Sequence, residues 1–167
     1  MRQHPRSLEG SAMTNRVEFS IGGYGDHETE FKTLFDTLDS GRQNLIFDEV
    51  VTPAASAEAE SAGQFCVVVI LGHSDRVDTP GLTPEQRRAD ELTASTSRAE
   101  STKDWLFGQV AELVLAAGGV VPADIASMQR VSLVTAACGS ADLVHLTPSS
   151  QTERAENRRV QFFVSTF

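Results

Sequence analysis

The chain of 167 residues contains two cysteines, one tryptophan and one tyrosine, and its 14 basic residues are outnumbered by 23 acidic ones. Cys66 and Cys138 are too few and too widely spaced for a metal cluster or a disulfide framework. Both lie in apolar runs, where a free cysteine behaves as a small core hydrophobe. A single Cys66–Cys138 disulfide, formed in an oxidising compartment, is the alternative. The formal net charge of −9 opposes non-specific attraction to nucleic acid or to an anionic membrane surface. Apart from Arg87-Arg88 and Arg158-Arg159 the cations are scattered, so no nucleic-acid partner is expected. No stretch reaches the roughly 18 apolar residues of a membrane span, so no direct membrane insertion is expected. Residues 1–12 have no apolar h-region and do not read as a secretory signal. Met13-Thr14-Asn15 resembles a second start, which makes 1–15 a leader or disordered tail and 16–167 a single domain.

Hydrophobic residues make up 40% and charged residues 22% of the chain, an ordinary globular balance that argues against global disorder. Val17, Phe19 and Ile21 alternate with polar neighbours up to Gly22-Gly23, which predicts a strand with one buried face. Phe31, Leu34, Phe35 and Leu38 follow at helical spacing, with Asp26 as N-cap and Gly41 as stop. Leu45 to Val51 reads as a second β-like run. Thr52-Pro53 then suggests an N-cap and first helical position, opening an exposed Ala/Ser/Glu helical turn or loop that ends at Gly63. The run Phe65 to Leu71 is almost continuously apolar and β-branched, as in a central strand covered on both faces.

Beyond Gly72-His73-Ser74-Asp75, the polar segment 76–90 reads mostly as loop. Leu92, Ser95, Ala99, Thr102, Leu106, Val110 and Leu113 then recur at steps of three and four, predicting a helix over 93–117 ended by Gly118-Gly119. A helical turn from Pro122, a strand over 131–136, a helical turn over 151–157 and a terminal strand over 160–166 complete the order β-α-(β)-β-α-β-β. This is an α+β sandwich, one mixed sheet packed against helices.

Three motifs occur in order: Gly72-His73-Ser74-Asp75 at the end of a buried strand, Ser95-x-x-Arg98-Ala99-x-x-Thr102-x-x-x-Leu106 on a helix, and Arg154-Ala155-Glu156-Asn157-Arg158-Arg159-Val160 before the last strand. Together they resemble the OmpA-like peptidoglycan-binding family, shared by outer-membrane porin tails, peptidoglycan-associated lipoproteins and flagellar stator subunits. The resemblance covers about 64–167, leaving 42–63 as an insertion. It implies a non-enzymatic module that grips the diaminopimelate of the peptidoglycan stem peptide, whose free end presents an ammonium and a carboxylate. Asp75 resembles the family's ammonium acceptor and Arg98 its carboxylate clamp, a task that suits a planar guanidinium. Arg158 resembles a second basic contact and Asn157 a residue that pins the terminal turn. Ser74 keeps a hydroxyl where the family has Thr. No metal or cofactor is implied.

Glu91 departs from the family's Asn, either adding an acceptor for the ammonium or repelling the ligand carboxylate. The 76–90 loop is longer than usual and offers Arg88-Ala89 as a rival register for Arg98-Ala99; the Ser, Thr and Leu positions fit only Arg98. Asp75 and Arg98 have a plainer reading as a structural ion pair. His73 is expected to pack or hydrogen-bond within its loop, Arg159 to point away from the site, and Trp105 to sit at the core edge. A scaffold domain with protein partners or a homodimer is the second function class, and hydrolysis by Cys138 or by His73 with Asp75 the third. The location expected is periplasmic or cell-envelope if an export signal precedes this chain, and cytoplasmic otherwise.

Overall fold

A computed structural model describes residues 15–59 and 63–167. The leader expected over 1–15 lies outside these, except Asn15, which belongs to the first strand. Four strands, β1 (Asn15–Gly22), β2 (Cys66–Gly72), β3 (Val131–Ala137) and β4 (Arg159–Thr166), form one sheet in the order β1-β4-β2-β3. β4 runs antiparallel to both β1 and β2, and β2 parallel to β3. This is the mixed α+β sandwich that the alternating strands and helices imply.

Around the sheet lie α1 (Phe31–Thr37), α2 (Ser40–Ile46), a π-helical turn (Phe47–Val51), α3 (Thr52–Ala59), α4 (Pro84–Ala116) and α5 (Gln151–Asn157), with a 3₁₀ turn at Ile125–Ser127. The helix-facing side of the sheet carries Ile21, Cys66, Val68, Ile70, Val160, Phe162 and Val164, all buried. Full cover of β2 on both faces was expected, but Val67, Val69 and Leu71 on its other side are only half-buried. Val69 is shielded there chiefly by its sheet neighbours Phe163 and Val134, since cross-strand neighbours contact one another on the same face.

The expected strand over Leu45–Val51 is helical. Ile46, Val50 and Ala54, with Val51 and Ala55 beside them, are buried at a spacing of four, and Asp48-Glu49 interrupts any two-residue alternation. The π turn ends where Thr52 donates to the Phe47 carbonyl. It falls just before Pro53, which has no N–H to continue the helical ladder. The segment after Pro53, expected to be exposed, buries Ala54, Ala55 and Ala57 and packs on α4; small side chains let the two helices approach closely.

α1 begins after Glu30, not at an Asp26 cap, and Gly41 lies inside α2 and stops nothing. α4 begins nine residues earlier than expected, at Pro84: Thr83 and Gln86 make a reciprocal capping box that fixes its start. Its buried stripe runs through Glu91, Ser95, Arg98, Ala99, Thr102, Leu106, Val110 and Val114. Leu92, expected on that stripe, is exposed, because the stripe starts one residue earlier. Trp105 lies at the core edge, 4.9 Å from the Phe31 ring and 4.8 Å from Phe35. Among the described residues no helix is long and apolar enough to cross a membrane.

The disulfide alternative does not survive the topology. Cys66 opens β2 beside Val131, whereas Cys138 follows the far end of β3 and donates its N–H to Gly72. Six strand steps at ~3.3 Å separate them by about 20 Å, beyond any disulfide, and both are free.

Candidate functional site

The polar half of α4's buried stripe meets the end of β2. Gly72 makes that approach feasible: a Cβ there would stand 1.9 Å from the Ser95 carbonyl oxygen. Ser95 Oγ accepts the Gly139 N–H at 3.0 Å, which ties the β3–α5 connection to α4. The chain leaves β2 through His73, Ser74 and Asp75, all buried. These residues, α4, α5 and the loop 24–28 enclose a cavity of about 400 Å³, lined by Ser74, Asp75, Glu91, Arg98, Arg154 and Arg158 among others.

Asp75 is 8% exposed and its two oxygens are held separately. Asn157 Nδ2 donates to Oδ1 at 2.9 Å, and Arg154 donates to Oδ2 at 2.7 Å. Asn157 also exchanges two hydrogen bonds with the backbone of His145, at 2.8 and 2.9 Å, so one buried amide fixes both the carboxylate and the loop before α5.

Arg98 is 2% exposed. Its Nε donates to the Glu28 carbonyl and one terminal nitrogen to the His73 carbonyl, each at 3.0 Å, and its guanidinium lies 5.1 Å from the Tyr24 ring centre. Among the described residues no carboxylate forms an ion pair with it. Burial, with Arg158 adding to it, lowers its pKa to about 10, and it remains cationic at neutral pH. Arg158 is held in the same way, Nε donating to the Tyr24 carbonyl at 2.9 Å, with the exposed Asp26 at 3.5 Å as its one counter-ion among the described residues. The short loop 24–28, with His27 in the left-handed region at φ 56°, thus turns two carbonyls toward two buried guanidinia. No sequence signal marked that role.

The structure therefore brings Ser74, Asp75, Glu91, Arg98 and Arg158 to one cavity, with Asn157 behind Asp75. Asp75 and Arg98 are not the ion pair that their charges allowed: each is held by other groups. Arg88 is exposed and does not line the cavity, so the register centred on Arg98 is the one that reaches it. Glu91 has both oxygens engaged, by the Val77 N–H at 2.8 Å and the Ser140 hydroxyl at 2.5 Å, and so ties the 76–79 segment to α4. Ser74 Oγ is buried without a hydrogen-bond partner. Arg159 points away, to Asp142 at 2.7 Å.

The reading from sequence missed Arg154. It stands three and four residues before Asn157 and Arg158, a spacing that puts it on their face of α5. Among the described residues, His73 makes no hydrogen bond to Asp75 or Cys138, so it is not set against either as a base would be. Burial and Arg159 hold its pKa below the ordinary 6.5, and burial and Asp142 raise the Cys138 thiol.

No protein-family model matches the chain, and no curated protein matches it significantly. Solved structures similar to it include the cell wall anchor of the type VI secretion system from Pseudomonas aeruginosa, at 20% identity over 89% of this chain and 80% of that one, TM-score 0.41. Another is the periplasmic domain of Helicobacter pylori MotB, at 18% identity over 89% and 81%, TM-score 0.38. A third is the peptidoglycan-associated lipoprotein of Burkholderia pseudomallei, at 16% identity over 87% and 88%, TM-score 0.38.

Proposed function

We propose that this chain is an OmpA-like module that binds bacterial peptidoglycan non-covalently through the diaminopimelate of the stem peptide and so anchors its carrier to the cell wall. One observation carries the reading: Arg98, a buried guanidinium with no carboxylate partner among the described residues, lines the same cavity as Asp75. A buried unpaired charge is costly, and a site that keeps one is suited to an anionic ligand group. Two carbonyls hold Arg98 in place with donor capacity to spare, which leaves a planar fork for a ligand carboxylate. Arg158 adds a second cation. Asp75 supplies the anion for the ligand's ammonium, and the free Ser74 hydroxyl a neutral donor or acceptor between them.

Binding of this kind requires no catalytic group, metal or cofactor, and it places the domain in the bacterial envelope. A scaffold role is the second reading, favoured by the contact of Arg154 with Asp75. Calorimetric titration with a soluble stem tripeptide ending in meso-diaminopimelate tests the proposal. Saturable binding of roughly millimolar to micromolar strength is expected. Failure to bind at millimolar peptide contradicts it.

A further inference from the structure

Asp75 is already occupied. Arg154 reaches from the last turn of α5 and spans two carboxylates, Asp75 at 2.7 Å and Asp78 at 2.8 Å, through its two terminal nitrogens. The Asp75 side chain is 7% exposed, whereas those of Arg154 and Asp78 are 27% and 52% exposed. With Asn157 on the other oxygen, Asp75 offers an incoming ammonium little open surface. Among the described residues, Arg98 and Arg158, by contrast, have no buried counter-ion. All three side chains are buried to a similar degree, but the cavity's anion is paired with the protein's own cation, whereas its two buried cations are held mainly by backbone carbonyls.

Resting on the reading of this cavity as a zwitterion site, we propose that Arg154 is a built-in competitor for the ammonium position and determines what the site accepts. Its guanidinium stands on Asp75 until a ligand displaces it toward Asp78, which keeps it paired in the displaced position. A ligand with only an ammonium must displace Arg154 without help from the arginine side. A ligand with only a carboxylate meets Arg98 and Arg158 but leaves Asp75 closed. A ligand carrying both groups uses its carboxylate contact to drive the displacement, so occupancy requires both charges together. Asp78 belongs to the segment that Glu91 ties to α4 through the Val77 N–H, which gives the connection between β2 and α4 a part in this exchange.

The test measures the affinity of the intact protein for three soluble probes: meso-diaminopimelate, pimelate, which lacks the ammonium groups, and 1,5-diaminopentane, which lacks the carboxylates. Arg154→Gln should raise affinity for the diamine and for diaminopimelate by about tenfold, equivalent to ~1.4 kcal/mol, and should not raise it for pimelate. Arg76→Gln removes another cation from the cavity wall without freeing Asp75, and should leave diamine affinity within about twofold. Asp78→Asn removes the alternative partner of Arg154 and should weaken diaminopimelate binding. Weaker or unchanged diamine and diaminopimelate affinity in Arg154→Gln, or equal gains in Arg154→Gln and Arg76→Gln, would overturn the proposal. The diamine readout separates this inference from wall binding. A gain in Arg154→Gln alongside a wild-type protein that fails to bind the stem peptide would leave the competitor in place and reject the peptidoglycan reading.

Discussion

At the scale of single residues, the site is defined by which buried charges are satisfied and which are not. Asp75 is saturated by Asn157 and Arg154, while Arg98 is held only by carbonyls. His73 is a further buried titratable group, and it makes stability depend on pH. Its folded pKa is lowered from 6.5 by burial and by Arg159, so the unfolded chain takes up the proton first as pH falls. Its stabilising contribution is therefore complete above 6.5 and is lost as pH drops through that value toward the lowered one. Melting temperatures between about pH 7.5 and pH 5 should fall more steeply for wild type than for His73→Leu. Equal slopes would mean that His73 does not titrate in this way.

At the scale of elements, legibility followed the clarity of the period. The apolar run 65–71 and the alternation in 160–166 were plain, because a strand's environment repeats every two residues. The candidate site residues were legible through three short motifs with fixed places on the elements: Asp75 just after β2, Arg98 on the buried stripe of α4, Asn157 and Arg158 at the close of α5. The 45–51 segment was misread because its apolar residues come in adjacent pairs, Ile46-Phe47 and Val50-Val51, which resemble a strand until Ala54 and Ala55 extend the spacing of four. For Arg154 the sequence offered only its spacing from Asn157 and Arg158, not its partner 79 residues away, and the two backbone carbonyls of the loop 24–28 left no local pattern at all.

The junction between β2 and α4 supplies a sharp test of the packing. Gly72→Ala places a Cβ 1.9 Å from the backbone oxygen of Ser95, and a helix backbone cannot move aside as a flexible side chain does. The substitution should cost about 4 kcal/mol or more in denaturant unfolding, in the range reserved for severe steric conflict. A loss under about 1 kcal/mol would show that α4 does not press on β2 so closely.

At the scale of the whole molecule, a chain of net charge −9 brings Arg98, Arg154 and Arg158 together at one end of the sheet, where they line a single cavity. Recognition of the proposed kind would rest on short-range contacts and only weakly on long-range attraction, so moderate salt should weaken binding only modestly. The most direct measurement is co-sedimentation of wild type, Asp75→Ala and Arg98→Ala with two kinds of insoluble sacculi, one containing diaminopimelate and the other lysine. Lysine lacks the second carboxylate and leaves Arg98 without a partner. Removing one member of a buried charge-assisted contact costs about 2–5 kcal/mol, enough to abolish retention of this strength. Retention of wild type alone, on diaminopimelate sacculi alone, is the predicted result; equal retention of all three proteins on both materials would contradict it.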